Sequence, residues 1–285
     1  MSSSPVLFSV GLFSDVQYAN RENQGKCRYR NSLDFLAEAV ECFNARDLQA
    51  VINLGDLVDS NEASHLDSVM AVLEKSAHPF IHVLGNHDLL GPMERRDIQD
   101  RLGITNSWGE RLRRDNWRVI VVDSTEVSLV DDSKHRALAN KEIARLSQQG
   151  DPCAENWNGM AGKRQMLEIS KLLRNASDAG DRALVLNHMV AGINSGSSRH
   201  RCWNHSKLTR LLDASSCVVG HFNGHDHDGG FATDEISGVH YLTLPAICDS
   251  VGGVGAHAIA HFEKNSITIE GWGRVKSRRL HFYGA

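Results

Sequence analysis

Nine side chains in this sequence have the types and spacing for metal chemistry, and each stands just past a short apolar run. Asp15 and Gln17 follow residues 6–14, Asp56 follows 50–54, and Asn86, His87 and Asp88 follow 79–84. His188 follows 182–186, and His225 and His227 follow the strand-like stretch 217–219 and its polar extension. Carboxylate, amide oxygen and imidazole form a mixed oxygen and nitrogen donor set suited to Mn²⁺, Fe²⁺ or Zn²⁺. A carboxylate shared by two such ions, about 3.5–4 Å apart, supports in-line displacement at phosphorus. The pair orients phosphoryl oxygens and lowers the pKa of a shared water. Taken singly these signals are weak, and Asp56 alone also reads as a turn aspartate. Gly85-Asn86-His87-Asp88 is sharper. Gly224-His225-Asp226-His227 is sharper again, because histidines at i and i+2 on an extended segment project to one face.

The elements that must position these residues are legible from periodicity. Val51, Ile52 and Leu54, stopped by Gly55, suit a strand buried on both faces, with the glycine turning the chain and leaving Asp56 at the tip. A helix is expected through Leu33, Leu36, Ala37, Val40 and Phe43, capped by Asn31 or Ser32. A second is expected through Leu66, Val69, Met70 and Leu73. Strands at 6–14, 49–54 and 79–84 alternate with these helices, which predicts parallel pairing and right-handed crossovers. Further on, a strand is expected at 118–122 and an exposed helix at 134–148. Residues 151–162 should form a long functional loop, followed by a helix at 163–174. In the second half, 182–186 and 217–219 read as strands, 191–201 as a Gly/Ser-rich loop and 206–212 as a short helix. From Gly229 on there is mostly strand alternation with turns at 234–238, 252–255 and 264–265, and this second half reads as antiparallel. In open α/β sheets, residues beyond the carboxyl ends of strands converge, so one site is expected.

Composition narrows the function classes. The 285 residues carry 31 basic and 35 acidic side chains, a net charge of −4, which offers no broad attraction for nucleic acid or an anionic membrane. No apolar run reaches the roughly 18–20 residues that span a bilayer. The N-terminus has no basic leader, and a strand needed for the site starts almost at once, so it is expected to be unprocessed. Residues 1–285 are read as a single domain. The six cysteines show neither CxxC nor zinc-finger spacing, so reduced thiols and a cytoplasmic location are expected.

The ordered set D-x-Q at 15–17, GD at 55–56, GNHD at 85–88, NH at 187–188 and GHDH at 224–227 resembles the calcineurin-like metallophosphoesterases over nearly the whole chain. The resemblance implies an α/β fold, a four-layer α/β/β/α sandwich of two mixed sheets. It also implies two divalent cations. Asp15, Gln17, Asp56 and His227 would hold one, and Asp56, Asn86, His188 and His225 the other. His87 would protonate the leaving oxygen or stabilise the transition state, with Asp88 orienting it. Most of that family has histidine where this chain has Gln17. A neutral amide oxygen is a harder ligand and tilts the site towards Mn²⁺ or Mg²⁺ and away from Zn²⁺. Gln17, together with RYRNSL at 28–33, ENWNG at 155–159, HDGG at 227–230 and GRVKSRRL at 273–280, is similar to the branch of manganese-dependent ADP-ribose/CDP-alcohol diphosphatases. That branch implies hydrolysis of a pyrophosphate in a small nucleotide, giving a nucleoside monophosphate and a phosphorylated sugar or alcohol. The same metal pair would serve a cyclic-nucleotide phosphodiesterase or a phosphomonoesterase, and a scaffold that lost catalysis is the reading of another class.

Substrate contacts are less determined. Trp157 and Asn158 could stack on or hydrogen-bond a base or sugar, or Trp157 could anchor its loop. Arg28 and Arg30 could hold a distal phosphate through their guanidinium forks, or form the solvated start of a helix. The loop 191–201 could close over substrate, and Cys248 could line the pocket or pack.

Overall fold

A computed structural model describes residues 5–130, 135–249 and 253–282. Lys134 and Gly252, where a helix and a turn were expected to begin, lie outside them. In strand β1 (Val6–Phe13) the side chains alternate between two apolar environments. Val10 and Leu12 face one core, and Phe13 faces another. In β2 (Ala50–Asn53), Ala50 and Ile52 share the first core while Val51 enters the second. A strand covered on both faces must be apolar at every position, which is why these stretches read as unbroken runs.

Between them lies α1 (Ser32–Asn44), and α2 (Ala63–Leu73) leads to β3 (Phe80–His82). Leu36, Val40 and Phe43 of α1 and Leu66, Val69 and Leu73 of α2 cover the outer face of this sheet. Asn31 precedes α1, but its side chain makes no capping bond; Ser32 instead donates to the Tyr29 carbonyl at 2.8 Å. The chain continues through α3 (Arg95–Arg101), β4 (Gly109–Arg114), β5 (Trp117–Val121), the short β6 (Val127–Ser128), α4 (Arg136–Gln148), β7 (Gly159–Met160) and α5 (Lys163–Asp178). Next come β8 (Arg182–Leu186), α6 (His205–Asp213), β9 (Val218–Asn223), β10 (Gly230–Thr233) and β11 (His240–Thr243). Last are β12 (His257–Glu263), β13 (Ser266–Trp272) and β14 (Arg278–His281).

The strands form two six-stranded sheets, ordered β14-β13-β12-β1-β2-β3 and β10-β11-β9-β8-β5-β4. Their inner faces meet in one core, where Leu12 and Ile52 share a cluster with Val121, Leu186 and Phe222. Ile169 and Leu173 of α5 and Leu208 and Leu212 of α6 cover the far side of the second sheet. The result is the expected α/β/β/α layering of two mixed sheets. β1, β2 and β3 pair parallel as expected.

The antiparallel reading of the second half holds for β10 and for β12 to β14. It fails at β11, which pairs parallel with β9, while β9, β8 and β5 are also parallel. Short strands with little between them look like hairpins in sequence. Here β10 takes the edge, and the chain returns to place β11 inside it. The edge strand β4, helix α3 and the β6–β7 pair were not anticipated; Gly159 and Met160 of β7 lie within the stretch read as loop.

Candidate metal centre

The segments after β1, β2, β3, β8 and β9 meet at one cleft of about 840 Å³. Gln17, Asp56, Asn86, His87, His225 and His227 line it, and Asp15 and His188 lie beneath, fully buried. The Asp56 carboxylate is 3.2 Å from His188 Nε2 and 3.3 Å from Gln17 Nε2, and it accepts the His87 backbone N–H at 2.8 Å. Asn86 Oδ1 approaches the same His188 nitrogen at 3.2 Å. Asp15 accepts the Ser14 hydroxyl at 2.5 Å and the His225 backbone N–H at 3.1 Å, and stands 3.8 Å from His227 Nε2. Asp56, His188 and His225 each offer a donor atom, and the three atoms lie within 4.8 Å of one another. All seven side chains expected to hold cations are therefore in one place.

The backbone reaches this arrangement against its own preferences. Asp15, Gln17, Asp56 and His225 have φ of 54°, 42°, 57° and 69°, four of the seven non-glycine residues with positive φ among those described. Such conformations cost about 1–3 kcal/mol each and persist where surrounding bonds over-determine them. Here Asp15 N donates to Gly55 O at 3.0 Å and Gln17 N to Asp56 O at 2.9 Å, lacing the two strand ends together. Gly55 has φ +107°, and a Cβ there would strike the His188 ring; one on Gly85 would strike Asp56. Only glycine allows these close approaches.

The electrostatics of the pocket favour positive charge. Burial pushes the Asp15 carboxyl up. Burial acts the same way on Asp56, but the charges of His188, His87 and His225 and the His188 hydrogen bond together outweigh it and hold that carboxyl below the usual range. Burial alone would lower His188, yet the charge and hydrogen bond of Asp56, with the Asp15 charge and the Leu54 carbonyl, carry it up to about 9. His227 is likewise brought up to about 9 against burial, by its hydrogen bond to Asp249 and the charge of Asp15. Two buried carboxylates that draw protons onto neighbouring imidazoles would draw other cations too.

Protein oxygens orient several of these rings. His188 Nδ1 donates to the Leu54 carbonyl at 2.8 Å, which leaves Nε2 as the nitrogen facing the Asp56 carboxylate and the Asn86 amide oxygen, where a cation would replace its proton. His227 Nδ1 faces Asp249 at 3.3 Å, a carboxylate set behind an imidazole. The buried carboxylates, amide oxygens and rings fixed in this way fit divalent cations.

The structure corrects four expected roles. Asp88 does not orient His87. Its Oδ1 accepts Leu57 N at 2.7 Å, and its Oδ2 accepts Asp56 N at 3.0 Å and Gly85 N at 2.9 Å, tying the loops after β2 and β3 together. Burial and the Asp56 charge push this carboxyl up to about 7 in spite of those donors. His87 is held instead by the Asp59 carbonyl, 2.7 Å from Nδ1. Asp59 was missed, although the GDLVD stretch places it three residues after Asp56.

Arg28 and Arg30 do not line the cleft. Arg28 turns back to the Gly25 carbonyl at 3.0 Å, and Arg30 is tied to Glu22 and Asn20 at 2.8 and 2.9 Å. Among the described residues, the lysines and arginines on the cleft wall are Arg21, Lys26 and Arg136, which no sequence signal distinguished from other surface charges. Trp157 lines the cleft, with the Arg199 guanidinium 5.5 Å from its ring. Asn158 does not line it; the residue is fully buried and lies against His225.

Residues 8–229 match the family model described as Calcineurin-like phosphoesterase. The chain is 27% identical over 302 residues to the manganese-dependent ADP-ribose/CDP-alcohol diphosphatase of Arabidopsis thaliana, covering 95% of this chain and 96% of that one. It is 26% identical to the protein of the same description from Danio rerio, covering 97% and 98%. A solved dimetal phosphatase from Danio rerio shares the fold with a TM-score of 0.90 at 24% identity, covering 98% of this chain and all of that one. A protein described as the anchor in the inner membrane complex of Plasmodium shares it with a TM-score of 0.64 at 14% identity, covering 98% of this chain and 90% of that one. With most of its length under the family model and the family's layered fold around the cleft, this chain belongs to the calcineurin-like phosphoesterases.

Proposed function

We propose that this chain hydrolyses the pyrophosphate bond of small nucleoside diphosphate-linked compounds, with ADP-ribose and CDP-choline as substrates and Mn²⁺ as the preferred cation. ADP-ribose and water would give AMP and ribose 5-phosphate; CDP-choline and water would give CMP and phosphocholine. One observation carries the reading: a single oxygen of the buried Asp56 carboxylate, Oδ2, contacts both Gln17 and His188, one from each of the two proposed ligand sets. That is the position of a bridging ligand between two cations.

Asp15, Gln17, Asp56 and His227 would hold one cation, and Asp56, Asn86, His188 and His225 the other. When bound, a pair of divalent ions lowers the pKa of a water and offsets phosphoryl charge. The protein's own groups do the rest. The Asp59 carbonyl accepts a hydrogen bond from His87 Nδ1–H, which turns Nε2 to the cleft, where the ring in its imidazolium form would give the Nε2 proton to a leaving phosphate oxygen; general-acid assistance of this kind contributes about 10²–10⁴-fold. Asp88 keeps the Asp56 and Gly85 backbones in register. Trp157 offers a ring for a base, and its indole N–H finds no partner among the described residues. Arg21, Lys26 and Arg136 line the same cleft, where a diphosphate needs positive charge.

The two sheets share one core, which supports reading residues 1–285 as one domain. All six cysteines are free thiols, which supports a reducing, cytoplasmic setting. Among the described residues no helix is long and apolar enough to cross a membrane.

The test is turnover by Mn²⁺-loaded protein of ADP-ribose and CDP-choline beside p-nitrophenyl phosphate, bis-p-nitrophenyl phosphate and cyclic nucleotides. Preference for the two diphosphates supports the reading; preference for the monoester or the cyclic diesters replaces it with the corresponding esterase. Absence of all turnover and of Mn²⁺ uptake would favour the scaffold.

A further inference from the structure

Asn158 is a buried residue whose chemistry the reaction above does not use. It lies just before β7 and is 0% exposed. Its amide nitrogen donates to two carbonyls, Cys153 O at 3.0 Å and Arg199 O at 2.7 Å. Both amide hydrogens are then committed, and Oδ1 alone is left for His225 Nε2, 2.8 Å away. Turning the amide over would set its oxygen against two carbonyl oxygens, so the network permits one orientation. An oxygen can only accept, and His225 Nε2 must therefore carry the ring proton. Nδ1 is left as the lone pair that can join Asp56 and His188 on a cation.

We infer that Asn158 is a positioning residue that fixes the tautomer of His225 so that Nδ1, and not Nε2, is its metal-ligating atom. This rests on the reading of His225 as a cation ligand. His188 is set in the opposite sense by the Leu54 carbonyl on its Nδ1. The two rings, with centroids 4.9 Å apart, thus present different nitrogens to a shared point, each dictated by a protein oxygen behind it. Asn158 also joins the loop 151–162 to the loop 191–201. The Arg199–Glu155 ion pair at 2.5 Å fastens the same two loops, and the Trp203 indole N–H, just past the second, donates to Glu155 O at 3.2 Å. The orientation of His225 is therefore tied to the contacts that join the two loops.

Two variants separate the acceptor from the strap. Asn158→Leu and Asn158→Asp both lose the two donated hydrogen bonds, and only the aspartate keeps an oxygen for His225. Mn²⁺ titration followed by electron paramagnetic resonance should show one of two sites weakened about 10–100-fold in the leucine variant relative to the aspartate variant. Equal Mn²⁺ affinity in the two variants, whether both intact or both weakened, would reduce Asn158 to a loop strap and overturn the inference. A second measurement needs only wild-type protein. ¹⁵N NMR of the metal-free imidazoles should find His225 protonated at Nε2, and protonation at Nδ1 would overturn the inference even if the leucine variant fails to fold. Should wild type take up no Mn²⁺, the dinuclear reading falls while the tautomer still decides the role of Asn158.

Discussion

The carboxylate of Asp56 lies 3.2 Å from Nε2 of His188, and neither side chain is more than 1% exposed. The two residues are 132 positions apart and come from different sheets, after β2 and after β8. Their meeting brings the strand ends of the two sheets to one point, and the predictions begin from it.

Replacing Asp56 by Asn keeps the shape of the side chain and removes the shared charge. Turnover should fall by more than about 100-fold, the upper range for losing even an outer-shell partner of a ligand, and Mn²⁺ stoichiometry should drop. The far-ultraviolet circular dichroism should stay that of wild type, because Asp56 stands at a strand tip. Two tightly bound Mn²⁺ in the variant would contradict the bridging role.

His87→Asn should lower kcat by about 10²–10⁴-fold with Mn²⁺ binding unchanged, since the ring touches the Asp59 carbonyl and the cleft. Steady-state kinetics distinguish this from a binding role, which would raise KM and leave kcat alone.

Asp88→Asn replaces one of two accepting oxygens with a donor. At least one of the Leu57, Asp56 and Gly85 amides would lose its partner in a buried site, a cost of about 1–3 kcal/mol. Urea unfolding of the metal-free protein should show it. Stability equal to wild type would mean that the carboxylate does not hold these loops.

Trp157→Ala should raise KM for nucleotide substrates and leave Mn²⁺ affinity as it is, because the ring lines the cleft but none of the seven proposed ligands depends on it. An unchanged KM for both ADP-ribose and CDP-choline would assign Trp157 to loop anchoring alone.

Away from the cleft, His257 stacks on Trp272 at 5.2 Å with Phe43 edge-on at 5.6 Å, and burial lowers its pKa to about 4. A pKa lower in the folded than in the unfolded chain means that the unfolded chain binds the proton first. The contribution of neutral His257 is therefore full above about pH 6.5 and is lost as pH falls towards 4. Relative to His257→Phe, wild type should lose roughly 1.4 kcal/mol per pH unit across that window. Parallel stability curves from pH 7 to 5 would refute this.

What was legible in the sequence is what is local. A doubly covered strand declares itself by an unbroken apolar run, and the residue after it sits at a predictable edge. The strand-end sites of Asp15, Asp56, Asn86 and His188 could therefore be named before any contact was known. Gln17 was legible as a harder donor because the type of a side chain fixes its chemistry wherever it lies.

Tertiary structure alone decided what each of these side chains faces. Asp88 and His87 are adjacent in sequence, yet one binds three backbone amides while the other turns to Asp59. Asn158, in a loop that promised substrate contact, is buried behind His225. β11 was expected in an antiparallel array and lies parallel to β9, because strand order depends on where β10 leaves room at the edge. A hydrogen bond or a strand pairing belongs to two segments at once. Periodicity and residue type describe one segment, and the partner is set only when the two sheets close on each other.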